Sequence, residues 1–325
     1  MRRREFIALL SGAVAWPLSA RAQQLSVPVI GFLSSRSEQP DAPFVSAFRH
    51  GLVESGDVGK SAKIEFRWAD NQADRLESLA TDLIKLKPAA ILAAGGSGTA
   101  LALKKLTSTI PIVFVIGNDP LKVGLVQSIS RPEGNVTGVA FLATQIVAKR
   151  LELLLPFVPS AKRIAVLINP KNPELASMTR DVEAAERSLN ITLQTHKAST
   201  EDEIGSAFSQ MAQQHPAALL IGGDTFFNAA RRQLIALSLR YSLPSIFDVR
   251  EFAAEGGLRS YGTSQTKAFQ QAAGYVGRIL NGARPAELPI VQPTQFELVI
   301  NRTTANALGL KVPDRLVALA DEVIQ

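Results

Sequence analysis

The 325-residue chain contains no cysteine. Disulfides, thiolate nucleophiles and cysteine-ligated metal centres are therefore excluded, and stability must come from packing alone. Histidine is scarce as well: His50, His196 and His215 lie far apart, with no His-Glu-x-x-His spacing, and each reads as a surface or helix-end side chain. Beyond the N-terminus no apolar run approaches the roughly 20 residues that a membrane-spanning helix needs. Aromatic residues make up only 6% of the chain and no basic block is interleaved with them, so a nucleic-acid surface is not expected. Two catalytic-looking motifs are incomplete. Gly95-Gly96-Ser97-Gly98 would need glycine at 99 to form a nucleophile elbow, and Thr99 stands there. Gly59-Lys60-Ser61 has the end of a phosphate loop, but Glu54 occupies its earlier glycine position.

The N-terminus has the order of an export signal: Arg2-Arg3-Arg4, an apolar stretch from Phe6 to Trp16, then Ala20-Arg21-Ala22 as a cleavage site. Arg3-Arg4-Glu5-Phe6-Ile7 resembles the twin-arginine signal, although Ala8 stands where lysine is common. Residues 1–22 are thus expected to be removed, and the lack of cysteine excludes lipoprotein acylation. Their loss changes 35 basic and 29 acidic residues to 31 and 28, and the formal charge from +6 to +3. The expected product is a periplasmic protein, a monomer that does not itself span the membrane.

Short apolar runs alternate with stretches of helical period, the signature of βαβ units around parallel sheets. Strand candidates are residues 27–32, 62–68, 89–94, 112–116, 164–168, 192–195, 217–221 and 245–247. An internal repeat relates Lys87-Pro88-Ala89-Ala90-Ile91-Leu92-Ala93-Ala94-Gly95-Gly96-Ser97 to His215-Pro216-Ala217-Ala218-Leu219-Leu220-Ile221-Gly222-Gly223-Asp224. Each copy is followed by a helix and a second proline-led strand. The expected fold is α/β, with two doubly wound parallel-sheet lobes, a hinge and an interlobe cleft. The chain leaves the first lobe near Leu142 and the second near Tyr261-Gly262.

In open parallel sheets ligands gather at the carboxyl ends of the strands, beside helix N-termini. Small and polar residues concentrate there in both halves: Ser34, Ser35, Gly95 to Thr99, Asn118, Asp119, Asn169, Asp224, Asp248, Arg250 and Glu251. The loop containing Ser97, Gly98 and Thr99 suits a carboxylate, because its backbone N–H groups are accessible and its hydroxyls add donors; a tight turn with Ser97 as helix cap is the alternative. Asp119, Asp224 and Glu251 could meet an ammonium group, or serve as caps or as partners of Arg250. Phe32, Phe141, Phe226, Phe227 and Tyr261 could wall an apolar pocket or belong to the core. No base and nucleophile pair can be assembled from these motifs, which argues against an enzyme, and no cofactor or metal is called for.

Segments 44–52 (FVSAFRHGL), 65–69 (EFRWA), 108–114 (STIPIVF), 118–120 (NDP), 131–138 (RPEGNVTG), 250–252 (REF) and 292–301 (QPTQFELVIN) resemble the ABC-transporter substrate-binding family that includes tryptophan- and tyrosine-binding lipoproteins. The likeness runs from about Val27 to Gln325. It implies a type I periplasmic binding fold with three crossings between lobes, expected near Ala143, Tyr261 and Gln292. The lobes would then comprise residues 23–142 with 262–290, and 143–261 with 291–325. It also implies delivery of a small-molecule ligand, an amino acid or aromatic acid, to the permease subunits of an importer. Ser97, Gly98 and Thr99 would sit at the carboxylate end, with Asp119, Asp224 and Arg250 around the cleft. A module that reports a ligand to a signalling partner would use the same cleft. The chain departs from its relatives at Gly98, where many have Thr or Ser, at Gly222-Gly223-Asp224-Thr225, which replaces a proline-containing segment, and in the missing lipoprotein cysteine.

Overall fold

The computed structural model describes residues 27–141, 146–293 and 295–325. The expected export signal, residues 1–22, and the expected crossing at Ala143 lie outside them.

The first sheet contains β1 (Val29–Ser34), β2 (Lys63–Trp68), β3 (Ala90–Ala94), β4 (Ile112–Ile116) and β5 (Val136–Ala140) in the order β2-β1-β3-β4-β5, all parallel. Between its strands run α1 (Glu38–Glu54), α2 (Asp57–Ser61), α3 (Leu76–Lys85) and α4 (Ser97–Leu106). The second sheet contains β6 (Arg163–Ile168), β7 (Thr192–Lys197), β8 (Leu219–Ile221), β9 (Ser245–Phe247), β10 (Arg259–Thr263), β11 (Phe296–Asn301) and β12 (Glu322–Ile324). Its helices are α5 (Val147–Leu154), α6 (Leu175–Leu189), α7 (Glu201–Gln214), α8 (Thr225–Ala229), α9 (Arg231–Arg240) and α10 (Arg250–Ala254), with α12 (Arg302–Ala307) and α13 (Asp314–Leu319) later in the chain; α11 (Gln265–Leu280) lies between β10 and β11 in sequence. The order β7-β6-β8-β9-β10 repeats that of the first sheet, and β11, antiparallel to β10, and β12 extend it.

All eight expected strands form, with ends shifted by up to two residues. Both faces of each sheet are covered, so strand side chains are apolar on both sides. In β1, Ile30 and Phe32 point to one core while Leu33 joins the other; in β3, Leu92 and Ile91 divide the same way. The repeat has a backbone counterpart too. Lys87 and His215 both take left-handed conformations, φ 49° and 48°, and end the helices that precede β3 and β8.

Helix α11 follows β10 of the second sheet yet packs in the core of the first, where Phe269 stacks on Phe44 with ring centroids 5.1 Å apart. Its close approach to α1 requires Gly51: a Cβ there would lie 2.6 Å from the Gln270 carbonyl oxygen and 2.7 Å from the Ala273 Cβ. Phe32 belongs to this core, against Phe48, Phe66 and Trp68, and not to a ligand wall.

Strands β5, β10, β11 and β12 carry weaker apolar signals. β10 opens with a fully buried cation, Arg259, which donates to the carbonyls of Leu153 at 2.7 Å and Leu154 at 3.3 Å and lies 3.9 Å from the Phe157 ring centroid. These carbonyls end α5, where the helix dipole favours positive charge. Burial still lowers the guanidinium to a pKa of about 9.

Candidate functional site

A cavity of about 300 Å³ opens between the carboxyl ends of the two sheets. From the first lobe it is lined by Ser35, Arg36, Asn71 and the loop Gly95 to Thr99, with Asn118 and Phe141; from the second by Asn169, Lys171, Asn172, Asp224, Phe226, Asn228 and Asp248. Gln265 and Phe269 of α11 complete it. Volume and mixed lining suit a solute of amino-acid size with an apolar part.

The loop after β3 enters α4 through Gly96, the N-cap residue, at φ 117°, a conformation that favours glycine. Having no side chain, it leaves the first N–H groups of the helix uncapped. A Cβ at Gly96 would also meet Thr225 Oγ1 of the other lobe at 2.9 Å. Ser97 and Thr99 are 3% and 0% exposed and line the cavity. The Ser97 hydroxyl makes no hydrogen bond among the described residues, and the buried Thr99 Oγ1 has no partner there. Ser35 closes the base of the loop by donating to the Gly95 carbonyl at 2.5 Å.

The repeat gives the second lobe the opposite chemistry at the matching N-cap. Where Gly96 leaves the start of α4 open, Asp224 caps α8: its Oδ1 accepts from Phe226 N–H at 2.8 Å, Phe227 N–H at 3.4 Å and Asn169 Nδ2 at 3.0 Å, and its Oδ2 from Asn172 Nδ2 at 2.7 Å. Burial pushes this carboxyl above its ordinary value, and the four donors oppose the shift. Asp224 thus lines the cavity with its acceptors already engaged.

The chain matches the family described as ABC transporter substrate binding protein over residues 26–324. It belongs to that family. The substrate-binding protein is 24% identical over 253 residues, 78% of its own length and 72% of the relative's, to a tyrosine-binding protein of Clostridioides difficile. Among solved structures it superposes on a conserved domain protein of Vibrio cholerae with a TM-score of 0.83, at 24% identity, over 91% of this chain and 99% of that one. An ABC domain in complex with L-Trp from Streptococcus pneumoniae gives 0.80 at 22% identity, over 91% and 100% of the two chains. These neighbours share the type I periplasmic binding fold.

Of the positions singled out in the sequence, the binding protein brings Ser35, Gly95, Gly96, Ser97, Gly98, Thr99, Asn118, Phe141, Asn169, Asp224, Phe226 and Asp248 to the cavity, whereas Ser34, Asp119, Arg250, Glu251 and Tyr261 do not line it. Ser34 instead donates to Asp41 Oδ2 at 2.7 Å, and Asp41 holds the Arg36 guanidinium at 2.5 Å, so Ser34 props a lining residue. The Asp119 carboxylate accepts from the N–H groups of Leu121 at 2.9 Å and Lys122 at 3.4 Å and shapes its own turn. Arg250 forms a bidentate pair with Glu322, at 2.7 and 2.6 Å, that ties α10 to β12. Tyr261 packs with the second core and stacks on Phe296, while its carbonyl accepts from Arg150 Nε at 2.8 Å. Phe227 is likewise core.

Arg36, Asn71, Lys171, Asn172, Asn228, Gln265 and Phe269 line the cavity without having been singled out. A signal existed for Lys171 and Asn172, three and four residues beyond the end of β6; Gln265 follows the return from β10 and had none. The lobes also touch at the mouth, where Asp119 N–H donates to Glu174 Oε1 at 2.5 Å and Lys122 Nζ lies 3.2 Å from Ser177 Oγ.

Proposed function

We propose that this chain is the exported solute-binding subunit of an importer, taking up an amino acid or aromatic acid by its carboxylate and delivering it to membrane permease subunits without chemical turnover. The observation that carries this reading is the uncapped N-terminus of α4 at the cavity, with the Ser97 and Thr99 hydroxyls beside it. Backbone N–H groups and the helix dipole favour an anion there, and hydroxyl donors add charge-assisted bonds. The L-Trp named for the pneumococcal relative and the tyrosine named for the clostridial one carry such a group. Phe141, Phe226 and Phe269 supply the apolar wall that an aromatic or aliphatic side chain needs.

In this reading residues 23–142 with 262–290 move against residues 143–261 with 291–325, and the chain crosses near 143, 261 and 292. The packing of α11 on the first sheet supports that division. Removal of residues 1–22 would place the protein in the periplasm. A thermal-shift screen of amino acids and aromatic acids tests the function: a true solute at 100 times its dissociation constant adds about 2.7 kcal/mol of stability. If no carboxylate-bearing compound raises the melting temperature, while a neutral or cationic solute does, the carboxylate assignment is wrong.

A further inference from the structure

Glu251, in the first turn of α10, carries a buried carboxylate oxygen, Oε2, that has no hydrogen-bond partner among the described residues. A buried charge without a partner is costly, and a helix start favours its sign without supplying a donor to that atom. Burial holds the carboxyl above its ordinary value and Glu297 adds to the shift, while Arg231 and Arg36 oppose it. Arg250 also acts on it electrostatically. Two of these three cations are already committed. Arg231 pairs with Glu255 through Nε at 2.7 Å and Nη2 at 2.6 Å, and Arg250 holds Glu322 in its bidentate pair. Arg36 belongs to the other lobe. It is 5% exposed and lines the cavity, with Nε on Asp41 at 2.5 Å and the guanidinium carbon 4.9 Å from the Phe44 ring centroid. Neither Nη of Arg36 makes a hydrogen bond among the described residues.

The topology sets these two groups against each other. The matching strand orders relate β1 to β6, β3 to β8 and β4 to β9. Loops after β3 and β8 meet at the centre of the cleft, where Gly96 faces Thr225, and the loop after β4 meets the one after β6 through Asp119 and Glu174. Exchanging the lobes turns that second contact into one between the loops after β9 and β1. There Asp248 and Arg36 both line the cavity, and Glu251 follows three residues on. One flank of the cleft is thus linked, whereas the other holds an unmatched charge on each side. We infer that Arg36 and Glu251 form an ion pair across the cleft in the fully closed protein, holding the lobes together on the flank opposite Asp119 and Glu174. This rests on the lobe division proposed above. Asp41 and Phe44 fix the Arg36 guanidinium in advance, so pairing costs little side-chain freedom, and its two free Nη groups match a carboxylate fork.

The experiment measures lobe separation by double electron–electron resonance between spin labels at Asp74→Cys, ahead of α3, and Asp202→Cys, in α7. Both positions are exposed, one on each lobe, and no native cysteine competes for the label. Four proteins are compared: the labelled chain, the same chain with Arg36→Lys, with Glu251→Gln, and with both. Arg36→Lys keeps a cation against Asp41 but lacks the fork. The expected result is two separations in the free protein, with the closed-to-open ratio falling at least about fivefold in each single variant and no further in the double, because both changes remove one interaction. Ratios within about twofold of the parent in both single variants, effects that multiply in the double, or one and the same separation in all four overturn the inference. If Arg36→Lys does not fold, Glu251→Gln and Glu251→Arg decide: the first should lower the ratio and the second, placing like charges together, lower it further. No solute is needed, and the thermal-shift screen tests solute binding separately. Equal separations here therefore leave solute binding standing, and a failed screen leaves the ion pair standing.

Discussion

Ser97 and Asp224 both sit at the helix entries of the internal repeat, one as the first residue of α4 and the other as the N-cap of α8, and their substitution by alanine should give opposite phenotypes. The Ser97 hydroxyl bonds to nothing in the described protein and caps no helix, so Ser97→Ala removes no interaction from the unliganded state. The melting temperature of the free protein should stay within about 1 °C, since deleting a cavity-lining hydroxyl that has no partner costs within about 0.5 kcal/mol. Solute binding should suffer instead: a hydrogen bond to a carboxylate is worth about 1.5 to 3 kcal/mol, or roughly a tenfold to hundredfold loss of affinity. Asp224→Ala deletes the acceptor for two backbone N–H groups of α8 and for the Asn169 and Asn172 amides. With a lost cap at about 1 kcal/mol and buried amides left unpaired, the free protein should lose about 2 to 4 kcal/mol. Calorimetric titration beside thermal and urea melts of both variants separates the effects. The reasoning is refuted if Ser97→Ala melts as low as Asp224→Ala while keeping wild-type affinity, because Ser97 would then be a cap and the anion would bind elsewhere.

Other consequences are equally direct. Gly51→Val places a branched side chain where a Cβ alone would overlap Gln270 and Ala273; it should cost about 3 kcal/mol or more, measured by urea unfolding, or prevent folding altogether. Arg259→Met removes the cation that meets the α5 carbonyls; since the guanidinium is buried without an acid, the net loss should be about 1 to 3 kcal/mol, and an unchanged urea midpoint would show that the carbonyls find other donors. Burial pushes the Asp248 carboxyl up to about 6 from 3.8, with Arg150 and Asn228 opposing the shift and Asp224 adding to it. A raised carboxyl favours the folded state when protonated, so this group's contribution to free-protein stability is lost as pH climbs from about 4 through about 6. Urea melts of the free protein between about pH 4 and pH 7.5 check this slope.

The fold was legible because its signals are local. Alternating apolar segments of strand and helix length mark βαβ units, and the repeat around β3 and β8 announced two lobes of one topology. Even the site's general location followed, since parallel strands put their carboxyl ends and the next helix N-termini on one side. What the chain's local pattern could not say is which strand-end residues turn inward. Arg250 reads like a cleft residue until Glu322, 72 residues later, is brought beside it by β12. Asp119 and Asp224 carry the same side chain at similar loop positions, yet one shapes a turn outside the cavity and the other caps a helix within its wall. Asn228, Gln265 and Phe269 reach the cavity only because α8 is short and α11 returns to the first sheet. Composition and periodicity determined that two lobes would face each other across polar loops. Only tertiary packing decided which polar atoms were satisfied by the protein and which were left for a solute, because that depends on partners distant in sequence and on the direction of each side chain.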